Sequence, residues 1–139
     1  MSNHLFAMGE FKLHSGSRSR WKIDCDALTN DDYETLAWIV VDKFKIKYRR
    51  VIGIPNGGTQ FAVALLKYTR GDVDTTLIVD DVLTTGKSMN EMMKKAHLPV
   101  IGVVIFARGP YPEWVYPIFT LGRKRKSYPD KMRMKRFYF

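Results

Sequence analysis

Two acids side by side, Asp80 and Asp81, stand just ahead of the small hydroxyl-rich run Thr84-Thr85-Gly86-Lys87-Ser88. Paired carboxylates suit hydroxyl groups or a hard cation. A turn that leads into a helix presents unpaired backbone N–H groups and the positive end of the helix dipole, which suits a phosphate. Ribose 5-phosphate carries both kinds of group. Gly86-Lys87-Ser88 also matches the end of a nucleotide-binding P-loop, but that motif needs a further glycine where this chain has Asp81. A carboxylate there would repel a triphosphate, so the P-loop reading fails. The bland alternative is an ordinary strand–turn–helix with a solvated acidic pair.

Several elements must hold these groups. Thr76-Leu77-Ile78-Val79 is an unbroken apolar and β-branched run, as expected of a buried parallel strand, and it predicts a strand ending at the acids. Ser88 to Ala96 reads as the following helix, closed by Leu98-Pro99. Val51-Ile52-Gly53-Ile54 predicts a second core strand, which runs into Pro55-Asn56-Gly57-Gly58-Thr59 and then a helix over 60–68. Such a Gly-rich loop again offers backbone N–H groups to an anion; a tight strand–helix turn is the alternative. Val100 to Phe106 predicts a third strand, ending in Ala107-Arg108-Gly109. A guanidinium at a strand's carboxyl end can donate two parallel hydrogen bonds to a carboxylate or carbonyl, although a surface arginine would look the same. Two anion-grade loops at the carboxyl ends of parallel strands should flank one crevice. Pro117 to Leu121 predicts a last short strand after the aromatic loop Tyr111-Pro112-Glu113-Trp114.

Upstream, Thr29 or Asn30 caps a predicted helix that opens with Asp31 and Asp32, acids well placed for its dipole. Tyr33, Leu36, Ala37, Val40, Val41 and Phe44 recur at helical spacing, which makes it a packing helix. Earlier still, Phe11 and Leu13, then Trp21 and Ile23, alternate on either side of Ser15-Gly16-Ser17, the pattern of a hairpin with a polar tip. The fold class that follows is α/β: a mostly parallel central sheet flanked by helices, with a short N-terminal hairpin.

A chain of 139 residues, 45% hydrophobic, can bury a core without staples. Its one cysteine, Cys25, excludes an intramolecular disulfide, and three histidines (His4, His14, His97) offer no transition-metal cluster. No stretch is long enough to span a membrane, and the start lacks a basic region followed by an apolar run, so the expected setting is cytoplasmic. The net charge of +9 is concentrated: residues 123–139 hold eight basic residues against Asp130 alone. The expected organisation is one domain over 1–122 and a basic, aromatic tail over 123–139. Tyr128, Phe137, Tyr138 and Phe139 among the basic residues could stack bases while the charges follow a nucleic-acid backbone; a solvated terminus is the commoner use of such a run.

The stretch from Thr76 to Ser88 closely resembles the phosphoribosyl pyrophosphate (PRPP) binding motif of the type I phosphoribosyltransferases: hydrophobic run, paired acids, Thr-Thr-Gly, then a hydroxyl. The resemblance implies that Asp80 and Asp81 hold the ribose hydroxyls as the catalytic pair, without a secure general acid or base. It implies that Thr84, Thr85, Gly86, Lys87 and Ser88 hold the 5-phosphate, and that Pro55, Asn56, Gly57 and Gly58 hold the pyrophosphate. Within that family the orotate enzymes look most similar, through a Phe-x-Leu-x-Ser-Gly run followed by a Ser-x-aromatic stretch. That match implies a base site including His14, Ser15, Gly16 and Arg108. Orotate enzymes usually carry Lys at the position of His14, and Asp at that of Ala107. They also place a strand and a long mobile loop, bringing Lys and His to the reaction, where this chain has only the residues between Lys67 and Thr76.

The resemblance spans roughly residues 9 to 121. It implies an orotate-type phosphoribosyltransferase, a homodimer, that joins PRPP to a pyrimidine base and releases pyrophosphate, with Mg²⁺ arriving on PRPP and no direct protein ligand. The second reading is a non-catalytic PRPP- or nucleotide-binding regulator that contacts nucleic acid through its tail.

Overall fold

A computed structural model describes residues 4–13 and 16–121. His14, Ser15 and the basic tail lie outside the described residues. Strands β1 (Phe6–Lys12) and β2 (Arg18–Ile23) form an antiparallel hairpin, a two-stranded sheet of its own. The remaining strands, β3 (Arg50–Gly53), β4 (Thr76–Leu83), β5 (Val100–Ala107) and β6 (Val115–Thr120), lie in that order in one parallel sheet. Helices α1 (Asn30–Trp38), α2 (Thr59–Leu65) and α3 (Lys87–Lys95) cover it. No helix among the described residues is long and apolar enough to cross a membrane.

Successive residues of a strand point to opposite faces, and here each face has its own core. Leu77, Val79, Val103 and Ile105 pack with Tyr33, Leu36, Ala37, Phe61 and Leu65 of α1 and α2. Ile78, Val104 and Ala107 pack with Met89 of α3. This double coverage is why β4 and β5 read as continuous apolar runs. Helix α1 begins at a capping box: Thr29 Oγ1 accepts from Asp32 N–H (3.1 Å), and Asp32 Oδ2 accepts from Thr29 N–H (2.8 Å). Such a cap stabilises by about 1 kcal/mol. The helix passes into a wider turn over Ile39–Lys43, where Phe44 N–H donates to Ile39 O (3.0 Å).

Two expectations need correcting. The acids do not end their strand: β4 runs on to Leu83, which is paired with Ala107. Asp80 and Asp81 satisfy the local backbone themselves, Asp81 N–H donating to Asp80 Oδ1 (2.8 Å) and Val82 N–H to Asp81 Oδ1 (2.6 Å). The second helix ends at Leu65 and closes with a tight 3-10 turn over Leu66–Tyr68 instead of remaining helical throughout.

The connection from α2 to β4 contains no strand. Residues 69–75 sit at the amino ends of β3 and β4, where Arg49 donates to Val73 O (3.0 Å) and Gly71 O (2.6 Å). Arg50 donates to Asp74 O (2.6 Å) and to Thr76 Oγ1 (3.1 Å). This segment is therefore fixed at the end of the sheet opposite the carboxyl-end loops.

Candidate active site

At the carboxyl ends of β3, β4 and β5 lies an open cleft of about 430 Å³. Its lining includes Pro55, Gly57, Asp80, Asp81, Thr84, Thr85, Gly86, Lys87, Ser88 and Arg108, so three separate strand ends contribute to one space. Asn56 is exposed and Gly58 buried, and neither lines it. Gly16 also stays away: it sits exposed at the hairpin tip with φ +91°, donating to Leu13 O (2.8 Å) and shaping the turn.

The loop after β3 reaches the acids because it is made of glycine. A Cβ on Gly57 would lie 2.5 Å from both carboxylate oxygens of Asp81. One on Gly58 would press on the Val79 carbonyl and sit 2.7 Å from the Ile54 nitrogen, and one on Gly53 would sit 2.5 Å from Gly58 O. With no Cβ in the way, Ile54 N–H donates to Val79 O (2.8 Å) and Gly58 N–H to Ile54 O (2.7 Å), clamping the loop against β4. The Pro55–Asn56 peptide is cis.

After β4, the chain turns at Gly86, whose φ of +84° lies in the left-handed region that glycine tolerates at little cost. Gly86 precedes α3, and no side chain caps that helix. Of the first-turn amides, Lys87 N–H donates to Thr85 Oγ1 (3.4 Å). Ser88 and Met89, which also line the cleft, bring theirs without a side-chain cap, as an anion site requires. On the other side, Arg108 N–H donates to Leu83 O (2.8 Å), and a Cβ on Gly109 would lie 2.8 Å from Thr84 O. The turn after β5 is pressed onto the phosphate-type loop.

Electrostatically, Asp80 is the most perturbed acid of the cleft. Burial, and then the neighbouring charge of Asp81, push its carboxyl well above the usual carboxylate range. Burial also lowers the Arg108 guanidinium from its ordinary value. That side chain is held in place by the hairpin: it donates to Ser19 Oγ (2.9 Å) and lies 3.6 Å from the centre of the Trp21 ring. Ser19 is fixed in turn, donating to Trp21 O (2.6 Å). A planar guanidinium stacked on indole is pre-organised, so little side-chain entropy remains to be lost on binding.

The roles of Ser19 and Trp21 as holders of Arg108 come from the tertiary structure; only the Ser-x-aromatic spacing hinted at them. Lys12 and Lys22 also line the cleft and were not singled out by the sequence reading. The weak signal for them was a pair of lysines on the two arms of one predicted hairpin. Among the described residues no group of three or more His, Cys, Asp or Glu is placed to hold a metal ion.

No protein-family model matches the sequence, and no curated protein matches it. Solved structures do. The chain is similar to the orotate phosphoribosyltransferase of Aeropyrum pernix, with a TM-score of 0.67 and 22% identity over 86% of this chain and 89% of that one. Its fold is that of the orotate phosphoribosyltransferases. The Mycobacterium tuberculosis H37Rv orotate phosphoribosyltransferase superposes with a TM-score of 0.61 at 14% identity, over 84% of this chain and 89% of that one. The Leishmania donovani UMP synthase gives 0.62 at 22%, with 86% of this chain matching 34% of the larger one. The α/β architecture expected from the sequence is thus the observed one.

Proposed function

We propose that this chain is a compact orotate-type phosphoribosyltransferase, moving the 5-phosphoribosyl group of PRPP onto a ring nitrogen of a pyrimidine base, orotate, with release of pyrophosphate. One observation carries the reading: a single cleft collects an acid pair, two glycine-built amide loops and a pre-set arginine from three adjacent strand ends. The orotate phosphoribosyltransferase fold supports the same reading.

In this reading the Thr84–Ser88 turn and the amides opening α3 hold the 5-phosphate, and the loop after β3 holds the pyrophosphate through its cleft-lining residues, Pro55 and Gly57. Asp80 and Asp81 take the ribose hydroxyls. Asp80, kept towards its protonated form when the cleft is empty, can meet a hydroxyl as donor or acceptor. Arg108 presents its free edge to the carbonyls or carboxylate of the base. As the bond from ribose C1 to the pyrophosphate oxygen breaks, positive charge grows on the sugar ring beside the two acids. Positioning and electrostatic stabilisation are then the protein's main contributions. The acid pair, a set of hard oxygen donors, suits a divalent ion carried in on substrate oxygens. Mg²⁺ bound in that way would offset negative charge on the departing pyrophosphate. The setting proposed is a cytoplasmic homodimer.

A second reading is favoured by the anchored 69–75 connection, which leaves no long loop between α2 and β4 to close over the cleft. It is a non-catalytic PRPP- or nucleotide-binding regulator, with nucleic acid contacted by residues 123–139.

The deciding experiment is calorimetric titration of Mg²⁺-PRPP into the wild type and Asp80→Asn/Asp81→Asn, followed by orotate addition with pyrophosphate detection. Binding that the variant loses, with pyrophosphate released only when orotate is present, supports the enzyme. Binding without turnover on any pyrimidine base shifts the case to the regulator, whose nucleic-acid affinity should vanish when the tail is deleted. No binding at all sinks both.

A further inference from the structure

Two lysines line the cleft on the hairpin side. Lys12, the last residue of β1, and Lys22, near the end of β2, both line it beside Phe11. Among the described residues neither ammonium is paired with a carboxylate. The Lys22 Nζ instead rests 5.0 Å from the centre of the Phe11 ring, another lining residue, which keeps it at the cleft wall.

The other described basic residues along the cleft lining, Arg108 and Lys87, already have places of their own. Arg108 is bonded to Ser19 and stacked on Trp21. Lys87 belongs to the phosphate-type turn at the start of α3. Arg49 and Arg50 hold the 69–75 connection at the far end of the sheet, and Arg70 is paired with Asp72. A cleft for PRPP must receive a second phosphorylated end, and in the loop after β3 Pro55 has no N–H, the Gly58 N–H is bonded to Ile54 O, and no side chain is charged.

We propose that Lys12 and Lys22 bind the pyrophosphate end of the substrate, so that the hairpin supplies the positive charge which the short connection cannot. The inference rests on the phosphoribosyl-transfer reading and assigns a role within it. Lys22 follows Trp21, which is stacked against Arg108, and it lines the same cleft as the acid pair and Gly57. An ammonium is a compact charge on a flexible stem, well suited to phosphate oxygens of changing position. When the C1–O bond breaks, its electron pair goes to the pyrophosphate oxygen while the ring nitrogen bonds to C1. Negative charge grows on the leaving group, so these lysines hold the transition state more tightly than the ground state.

The test titrates inorganic pyrophosphate and, separately, ribose 5-phosphate into the full chain and its Lys12→Gln/Lys22→Gln variant, with thermal melting as the check on folding. Pyrophosphate affinity should fall by about 10-fold for each lysine removed, with a shallower dependence on salt. Ribose 5-phosphate affinity should stay unchanged. Lys12→Arg/Lys22→Arg should restore most of the pyrophosphate affinity, an outcome that a merely structural role for the hairpin would not give. Equal weakening of both ligands, or unchanged pyrophosphate affinity in the Gln variant, overturns the lysine assignment while the wider reading stands. A wild type that binds neither ligand overturns both.

Discussion

The two ends of the sheet are built on opposite principles. At the amino end, polar groups are spent on one another: Arg49 and Arg50 tie down residues 71–74, and Arg50 also satisfies the buried Thr76 hydroxyl. At the carboxyl end, two carboxylates share a partly buried place, the first turn of α3 has no cap, and glycines replace side chains where loops meet. One end is arranged to be stable. The other keeps charge and hydrogen-bonding capacity in reserve for a ligand, at a cost in stability that functional sites commonly bear.

If that contrast is right, substitutions at the carboxyl end should divide into those that wreck the loops and those that stabilise while abolishing binding. The largest effect is expected at Gly58. In Gly58→Ala the new methyl meets the backbone of Val79 and Ile54, neither of which can swing aside as a side chain would. Denaturant unfolding should show a loss of about 3 kcal/mol, together with loss of pyrophosphate binding.

Asp80→Asn should do the reverse. The folded Asp80 has its pKa raised above the ordinary carboxylate value. Its contribution to stability is therefore fully present below the unfolded pKa and lost as pH rises through the folded one. Removing the ionisable group removes that loss. The variant should melt higher than wild type at neutral pH, by an amount corresponding to roughly 2 kcal/mol, and the gap should close as pH falls towards about 4. PRPP binding should be lost at every pH. A variant that is destabilised throughout would contradict the idea that this carboxylate is held at a cost.

Much of this arrangement was legible because the sheet is buried on both sides. Thr76–Val79 and Val100–Phe106 had to be continuous apolar runs, and whatever followed them had to lie at one edge. A cap at Thr29 or Asn30 was equally visible, since a side-chain oxygen ahead of an acidic first turn has little else to do, and the capping box places it at Thr29. The true end of β4 was not visible, because aspartates are poor strand residues. Here their own oxygens take the Asp81 and Val82 amide hydrogens while β5 continues alongside to Ala107. The hairpin's contribution was hidden for a different reason. Alternation puts Phe11 and Lys12 on opposite faces of β1, yet both line the cleft at the end of that strand. Contacts across 89 positions, such as Arg108 with Ser19, leave no local trace in a sequence.

Arg108→Lys sharpens the contrast from the base side. Lysine keeps the charge but loses the fork and the flat face that rests on Trp21. The efficiency for the base should drop by roughly 10-fold, while PRPP affinity and melting temperature change little. Weakened PRPP binding would show that this arginine serves the phosphates instead.

The smallest effect belongs to the amino end, and it tests the other half of the comparison. Arg50→Ala removes a hydrogen bond to Thr76, whose hydroxyl is buried, and an exposed ion pair and carbonyl hydrogen bond with Asp74. The first should cost about 1 kcal/mol; the second, well solvated, should add little and be screened by salt. Neither touches the cleft, because parallel strands put the Arg50–Thr76 pairing at the end of β3 and β4 remote from Asp81 and Gly57. The variant should therefore unfold slightly earlier in denaturant and bind PRPP as wild type does. If ligand affinity fell along with stability, the 69–75 connection would be coupled to the cleft through β4. In that case the short segment would be acting on the site from below, and the division of labour between the two ends would not hold.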